Sequence, residues 1–350
     1  MILLRSPPTL AVLFSVAFAA CHCGGSFSSG TNTGSDAGVQ PADSGSADAS
    51  TSLGDPDAGI QSCGGQLFEA TAVQPNVLID IDWSASMEEE VAGGRNKWDI
   101  ATDAVRVLTT KFDSRIRFGC MWFPGEGDNC SRGWLAVHVG DNTAAQIHKS
   151  LMPFAWGENT PLAGSLAMAS EQPELADTTR ANYVLLITDG QDTCDGQPVP
   201  VVQSLFDKNI KTFVVGFGSG VDPTSLSQMA ISGGTAVPGN PNCYRADDQS
   251  SLEAALDLIG QSALGCDFKL TSTPPDGEKI YVYIDGMLVP RDPAKVNGWQ
   301  YAPSNDRVTF YGPVCHAVAK NPAAKVTVVY GCPDDVFIEN SGTFDGGMLN

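Results

Sequence analysis

Asn-Val-Leu-Ile-Asp-Ile-Asp-Trp-Ser-Ala-Ser, residues 76–86, is the stretch on which the fold turns. Its first seven residues, Asn76–Asp82, are a short apolar run of the kind that forms a strand buried on both faces of a parallel sheet. Asp82, Ser84 and Ser86 then follow at alternate positions, where the strand runs out. Downstream, Trp98, Ala101, Ala104, Val105 and Leu108 share one face at helical spacing. Residues 115–123 are β-rich, residues 124–128 make a turn, and residues 134–139 return as the second arm of a hairpin. A helix is predicted over 143–151, and another opens at Thr160-Pro161, with proline at the favoured first position. A second buried strand, 182–188, ends in Asp189-Gly190. A helix (199–207), a strand (211–215), a helix (224–230) and a short edge strand (244–246) follow. The last helix is predicted to start at a capping box, Ser250-x-x-Glu253, with the stripe Leu252, Ala255, Leu256, Ile259 and Ala263. Strands alternating with helices predict an α/β, doubly wound, mainly parallel sheet, in which the hairpin arm is the one antiparallel strand. Residues 267–338 change texture: short β segments at 279–284, 298–301, 307–311 and 325–330 predict a small all-β module, followed by a loose tail over 339–350.

The N-terminus points outside the cytosol. Arg5 precedes an apolar stretch, residues 10–20, too short to span a bilayer and fitting a secretory signal over 1–20. Ala19 and Ala20 before Cys21 resemble a bacterial lipobox, which implies a lipidated cysteine. Phe18 and the single positive charge leave a plain cleaved signal ending at Ala20 as the alternative. If lipidated, His22 rather than an aspartate after Cys21 resembles an outer-membrane sorting signal, so a bacterial cell envelope or surface location is expected, or secretion if it is not. No other segment is apolar enough to cross a membrane. Residues 24–62, rich in Gly, Ser, Asp, Ala and Thr and without Lys or Arg, read as a linker that cannot bury enough apolar surface to order itself. As a flexible coil it spans about 30–40 Å.

The chain carries a formal net charge of -20 and 42% hydrophobic residues over 350 positions. That charge repels phosphate backbones and argues against nucleic acid as a partner. The 10 cysteines include no Cys-x-x-Cys pair, and only 4 histidines are present, so disulfides fit better than zinc. Hydrolase signatures such as Gly-x-Ser-x-Gly and His-Glu-x-x-His are absent. Gly216-x-Gly218-x-Gly220 lacks dinucleotide-loop spacing and reads as a strand-to-helix turn. Trp98, Trp122 and Trp134 read as core, and His138 and His148 as surface.

Three segments at strand or helix ends carry the candidate chemistry: Asp82-x-Ser84-x-Ser86, Thr160 and Asp189. In a doubly wound sheet such ends gather at one edge. Two carboxylates and three hydroxyls there make an all-oxygen site suited to Mg²⁺, or to Mn²⁺ or Ca²⁺. Each segment has a plainer reading on its own: helix caps at Ser84, Ser86 and Thr160, and a turn at Asp189-Gly190. Asp192, in the acidic loop that follows, is positioned to tune an ion's field.

Taken together and in this order, these residues resemble the von Willebrand factor type A family and its metal ion-dependent adhesion site, from about Cys63 to Cys266. The one departure is Ala85, where glycine commonly sits between the serines. The resemblance implies that Ser84, Ser86 and Thr160 touch the ion and that Asp82 and Asp189 act directly or through water. It implies a non-enzymatic, cation-dependent binding protein, whose protein or matrix partner offers a carboxylate to the open coordination position. A structural envelope scaffold with a permanently bound metal is the rival expectation. Because the ends of this domain lie close together in the family, the resemblance also implies a Cys63–Cys266 clasp. Cys315 and Cys332 then pair within the β module. Cys120, Cys130, Cys194 and Cys243 allow three connectivities, with Cys130–Cys194 a candidate because both fall on loops near the metal edge.

Overall fold

The structure, a computed structural model, describes residues 66–91, 93–125, 130–151, 157–218, 221–321 and 323–331. The signal segment, Cys21, the linker, Cys63, Cys332, the tail and part of the 124–128 turn lie outside the described residues.

Strand β2 (Asn76–Asp82) is buried along its whole length. It pairs in parallel with β3 (Arg117–Phe123) on one side and β5 (Asn182–Thr188) on the other. Beyond β5 come β6 (Ile210–Phe217) and β7 (Tyr244–Ala246), both parallel. β4 (Trp134–Gly140) closes the opposite edge antiparallel to β3, giving the order β4-β3-β2-β5-β6-β7. The expected sheet, with its single antiparallel strand, is present. Being an edge strand, β4 leaves Trp134 47% exposed, so this tryptophan is not core, whereas Trp98 and Trp122 are buried.

Helices cover both faces because successive strand residues point opposite ways. Val77, Ile79 and Ile81 meet α1 (Lys97–Phe112) and α6 (Gln249–Ala263), the latter burying the whole predicted stripe from Leu252 to Ala263. α2 (Ala144–Ser150) adds Ile147 to that layer. Leu78, Val184 and Leu186 meet α3 (Leu162–Ala169), α4 (Pro198–Asp207) and α5 (Pro223–Ser232). Asn96 caps α1 by accepting from Asp99 N at 2.7 Å. The capping box of α6 is Asp248 with Ser251, not Ser250 with Glu253; the helix starts at Gln249, which puts Ser251 at its third position.

A second, antiparallel sheet has the order β10-β9-β13-β1-β8-β12-β11. Its strands are β1 (Gln66–Ala72), β8 (Asp267–Leu270), β9 (Ile280–Ile284), β10 (Met287–Val289), β11 (Gly298–Ala302), β12 (Arg307–Tyr311) and β13 (Val326–Tyr330). The expected appended all-β module needs two corrections. Its central strand, β1, comes from before the parallel sheet and lies between β13 and β8. It also contains a helix, α7 (Gly312–Lys320), whose Val314 and Val318 pack with Phe68, Phe268 and Trp299. β1 buries only Phe68 fully, so its sequence shows no alternation to read. The Gly312-Pro313 pair that looks like a breaker instead starts α7, with proline in its first turn.

The expected Cys63–Cys266 and Cys315–Cys332 pairs are overturned: Cys266 is bonded to Cys315, with Cα atoms 5.3 Å apart. β12 lies beside β8 and its Phe310 N–H donates to Cys266 O at 2.8 Å. That pairing brings the first turn of α7 against the residue preceding β8. Cys130–Cys194 is formed, with Cα atoms 5.7 Å apart, while Cys120 and Cys243 are free and buried.

Candidate functional site

β2 and β5 run side by side and end together, so Asp82 and Asp189 emerge at the same edge of the sheet. Asp82 is fully buried. Its Oδ1 accepts from Ser84 N at 2.9 Å and its Oδ2 from Thr188 Oγ1 at 2.6 Å. Burial raises its pKa to about 6, helped by the charge of Asp189 and opposed by the bonds from Ser84 and Thr188. Ser84 Oγ lies 3.0 Å from Ser86 Oγ, which donates to Asp189 Oδ1 at 2.7 Å. Four of the five expected residues are thus joined in one chain of contacts.

Thr160, on the segment leading into α3, completes the group. A Cβ placed on Gly190 would sit 3.8 Å from Thr160 Oγ1, so that hydroxyl lies against the Asp189-Gly190 turn. Among the described residues the Thr160 hydroxyl makes no hydrogen bond. Its main chain is held instead, with N–H to Thr193 Oγ1 at 2.7 Å and C=O from Thr193 N at 3.1 Å.

The loop is pinned from below. Trp83 turns inward, 7% exposed, with its ring 6.0 Å from that of Trp98 and 5.7 Å from that of Trp122. The main-chain N–H of Trp83 donates to Phe123 O at 2.6 Å, and that of Ala85 to Gly157 O at 2.7 Å. With Trp83 wedged in the core, the serines on either side of Ala85 are left at the sheet edge.

Sequence reasoning missed Lys97. Its ammonium donates to Asp189 Oδ2 at 2.7 Å, to Glu89 Oε2 at 2.6 Å and to Ser86 O at 3.3 Å. The Asp189 side chain is fully buried and that of Lys97 is 12% exposed. Burial pulls the lysine pKa down, but the bonds to Asp189 and Glu89 outweigh it and hold it above the ordinary value. Gly218, at φ +108°, makes room for this side chain: a Cβ there would lie 3.1 Å from Lys97 Cε. Lys97 is the first residue of α1, and an apolar-face reading passes over it; its place next in chain order after the Asp82–Ser86 loop was the available signal.

Two neighbouring acids behave differently. Asp192 is committed to main-chain donors: its Oδ2 accepts from Ala163 N at 2.8 Å, and its Oδ1 from Cys194 N at 2.9 Å and Gly196 N at 2.8 Å. Asp80, two residues before Asp82 on the same face of β2, lies under α3, short of the strand end. Both its oxygens lie 2.8 Å from Ser165 Oγ, and burial pushes its pKa up to about 8. Among the described residues no group of three or more His, Cys, Asp and Glu side chains converges as a metal centre. The set at the sheet edge has two carboxylates and three hydroxyls, a combination that can hold a hard cation without such a group.

Uncharacterized protein YwmD of Bacillus subtilis strain 168 is 30% identical over 173 residues, 45% of this chain and 75% of YwmD. Among solved structures, proximal thread matrix protein 1 of the mussel byssus, in a form with a zinc-occupied MIDAS motif, aligns with a TM-score of 0.44 and 20% identity. That alignment covers 57% of this chain and 50% of the mussel protein, so the chain spans half its length. The pilus adhesin SpaC of Lactobacillus rhamnosus GG, in its open conformation, aligns with a TM-score of 0.45 and 13% identity over 75% of this chain and 39% of SpaC. Residues 76–258, just over half of the sequence, match the von Willebrand factor type A domain. On that match, the chain belongs to the von Willebrand factor type A domain family.

Proposed function

We propose that this is an exported, lipid-anchored protein that binds a protein or matrix partner through a divalent cation held by Asp82, Ser84, Ser86, Thr160 and Asp189. The observation that carries the reading is the meeting of Ser84 and Ser86 with the Asp82 and Asp189 carboxylates at one strand edge, beside the hydroxyl of Thr160, which makes no hydrogen bond among the described residues. The donor set fits the ion chemically. Burial raises the Asp82 pKa and the charge of Asp189 adds to it, while of these two carboxylates Lys97 pairs directly with Asp189, its other acidic partner being Glu89. A cation at this edge relieves that repulsion. All-oxygen ligation favours Mg²⁺, with Mn²⁺ or Ca²⁺ as substitutes.

When bound, the ion supplies a Lewis-acidic position for an Asp or Glu carboxylate of the partner. The residues of this chain orient it, and Trp83 keeps the loop from collapsing inward. The anchor is Cys21, and residues 24–62 are the spacer that holds the domain away from an outer-membrane or cell surface.

The test is capture of partners from envelope extracts in Mg²⁺ against EDTA, beside calorimetric titration of Mn²⁺ into the purified protein. Wild type is expected to bind the ion and to retain its partner only in Mg²⁺, and Asp82→Ala to do neither. Equal capture by Asp82→Ala in EDTA would sink the proposal.

A further inference from the structure

Thr160 differs from the other four residues of the set. Ser84, Ser86, Asp82 and Asp189 orient one another through their side chains. Thr160 is placed only through its main chain, and the contacts that place it come largely from one loop. Thr193 grips both sides of residue 160, accepting its N–H at 2.7 Å and donating to its C=O at 3.1 Å. Asp192 reaches past Thr160 to the first turn of α3, taking Ala163 N–H at 2.8 Å, and closes its own loop through Cys194 and Gly196. The packing is tight enough to require glycine at 196. A Cβ there would lie 2.5 Å from Asp192 Oδ2 and 2.6 Å from Ala163 Cβ.

This loop is tied covalently to a third element. Cys194, next to Thr193, is bonded to Cys130, just before β4. Two residues on, Arg132 packs on the same helix, with its Cα 3.5 Å from where a Gly164 Cβ would stand, and pairs with Glu171 just beyond it. The disulfide therefore joins two segments that both lean on α3, one of which grips residue 160.

We propose that residues 192–194, closed by the Cys130–Cys194 disulfide, are a clamp that sets the position of the Thr160 hydroxyl in the metal site. Asp192 and Thr193 are its positioning residues and do not touch the ion. The inference rests on the metal-site reading given above. It makes the oxidised protein the metal-competent form: opening the disulfide frees the loop, and the ion loses a ligand held in register.

The experiment is calorimetric titration of Mn²⁺ into the oxidised full chain, with melting temperatures in EDTA as a second readout. Thr193→Val keeps the shape and the main-chain donor but removes the acceptor for Thr160 N–H; Thr193→Ser keeps the acceptor. We expect Thr193→Val and the double variant Cys130→Ser/Cys194→Ser to bind Mn²⁺ about tenfold more weakly, the low end of what groups that hold a metal ligand in place contribute. Thr193→Ser and Cys266→Ser/Cys315→Ser should stay within about twofold of wild type, since neither disturbs the grip on residue 160. In EDTA, Thr193→Val should melt within about 3 °C of wild type, as expected for one hydrogen bond in a domain of this size. If Thr193→Val binds like wild type while Asp82→Ala does not bind, the clamp is wrong and the metal site stands. If Asp82→Ala also binds like wild type, the metal site falls and the clamp with it. Weakening by Thr193→Ser equal to that by Thr193→Val would also overturn the clamp, because the acceptor would then be irrelevant.

Discussion

Replacing Lys97 by methionine separates the electrostatics of the site from its packing. The substitution keeps the stem and removes the charge. Lys97 faces Asp189 at 2.7 Å, with side chains 12% and 0% exposed. At an effective dielectric of about 20, two unit charges at that distance attract by roughly 6 kcal/mol before desolvation is subtracted. Removing one partner of a buried pair costs about 3–5 kcal/mol, because the other charge stays buried and uncompensated. The lower end applies here, since the ammonium also reaches Glu89, whose side chain is 67% exposed. A loss of about 3 kcal/mol lowers the melting temperature by about 6–12 °C in a domain of this size. Under the proposed metal reading, a divalent cation held by Asp82 and Asp189 would supply the missing positive charge. The loss should therefore shrink to about 1 kcal/mol, or about 2–4 °C, in saturating Mn²⁺. The assay is thermal unfolding of wild type and Lys97→Met, each in EDTA and in Mn²⁺. The expected result is a larger metal-induced rise in the variant. Equal losses in both buffers would refute the reasoning, because the lysine and the ion would then not answer the same carboxylates.

Two further outcomes test the surrounding fold. Hydrogen bonds from Thr179 and the Arg180 guanidinium hold Asp177 below its ordinary range. A depressed folded pKa means that the unfolded chain takes up the proton first, so this contribution is complete above the ordinary value of 3.8 and is lost as pH falls through the folded value. Asp177→Asn should therefore flatten the acid limb of melting temperature against pH, and parallel curves for the two proteins would contradict the assignment. Gly260 of α6 packs on α1: a Cβ there would stand 2.5 Å from Phe112 Cε2, in a ring that is 2% exposed and cannot swing away. Gly260→Val should cost about 2 kcal/mol by overpacking and leave Mn²⁺ affinity unchanged, checked by unfolding and titration together.

Much of the parallel sheet was legible because burial on both faces leaves an unmistakable local mark. Asn76–Asp82 and Asn182–Thr188 are apolar runs at the right length, and the stripes of α1 and α6 carry the helical period. The order of Asp82, Ser84, Ser86, Thr160 and Asp189 along the chain was likewise readable, since each follows a strand or precedes a helix. The second sheet was harder. β1 is mostly exposed and carries one buried aromatic, so nothing local distinguishes it from loop; only its pairing with β13 and β8 makes it a strand.

What local pattern could not contain were the facts that depend on which distant segments become neighbours. Cys266 is 49 positions from Cys315, and their bond follows from β12 returning alongside β8, a register no spacing encodes. Lys97 reaches Asp189 across 92 positions because α1 starts at the strand edge where β5 ends, and Thr193 grips Thr160 across 33 for a similar reason. Periodicity and capping are short-range consequences of backbone geometry and burial, so a single sequence states them. Charge compensation and ligand positioning arise between segments, and they exist only once the chain has closed on itself.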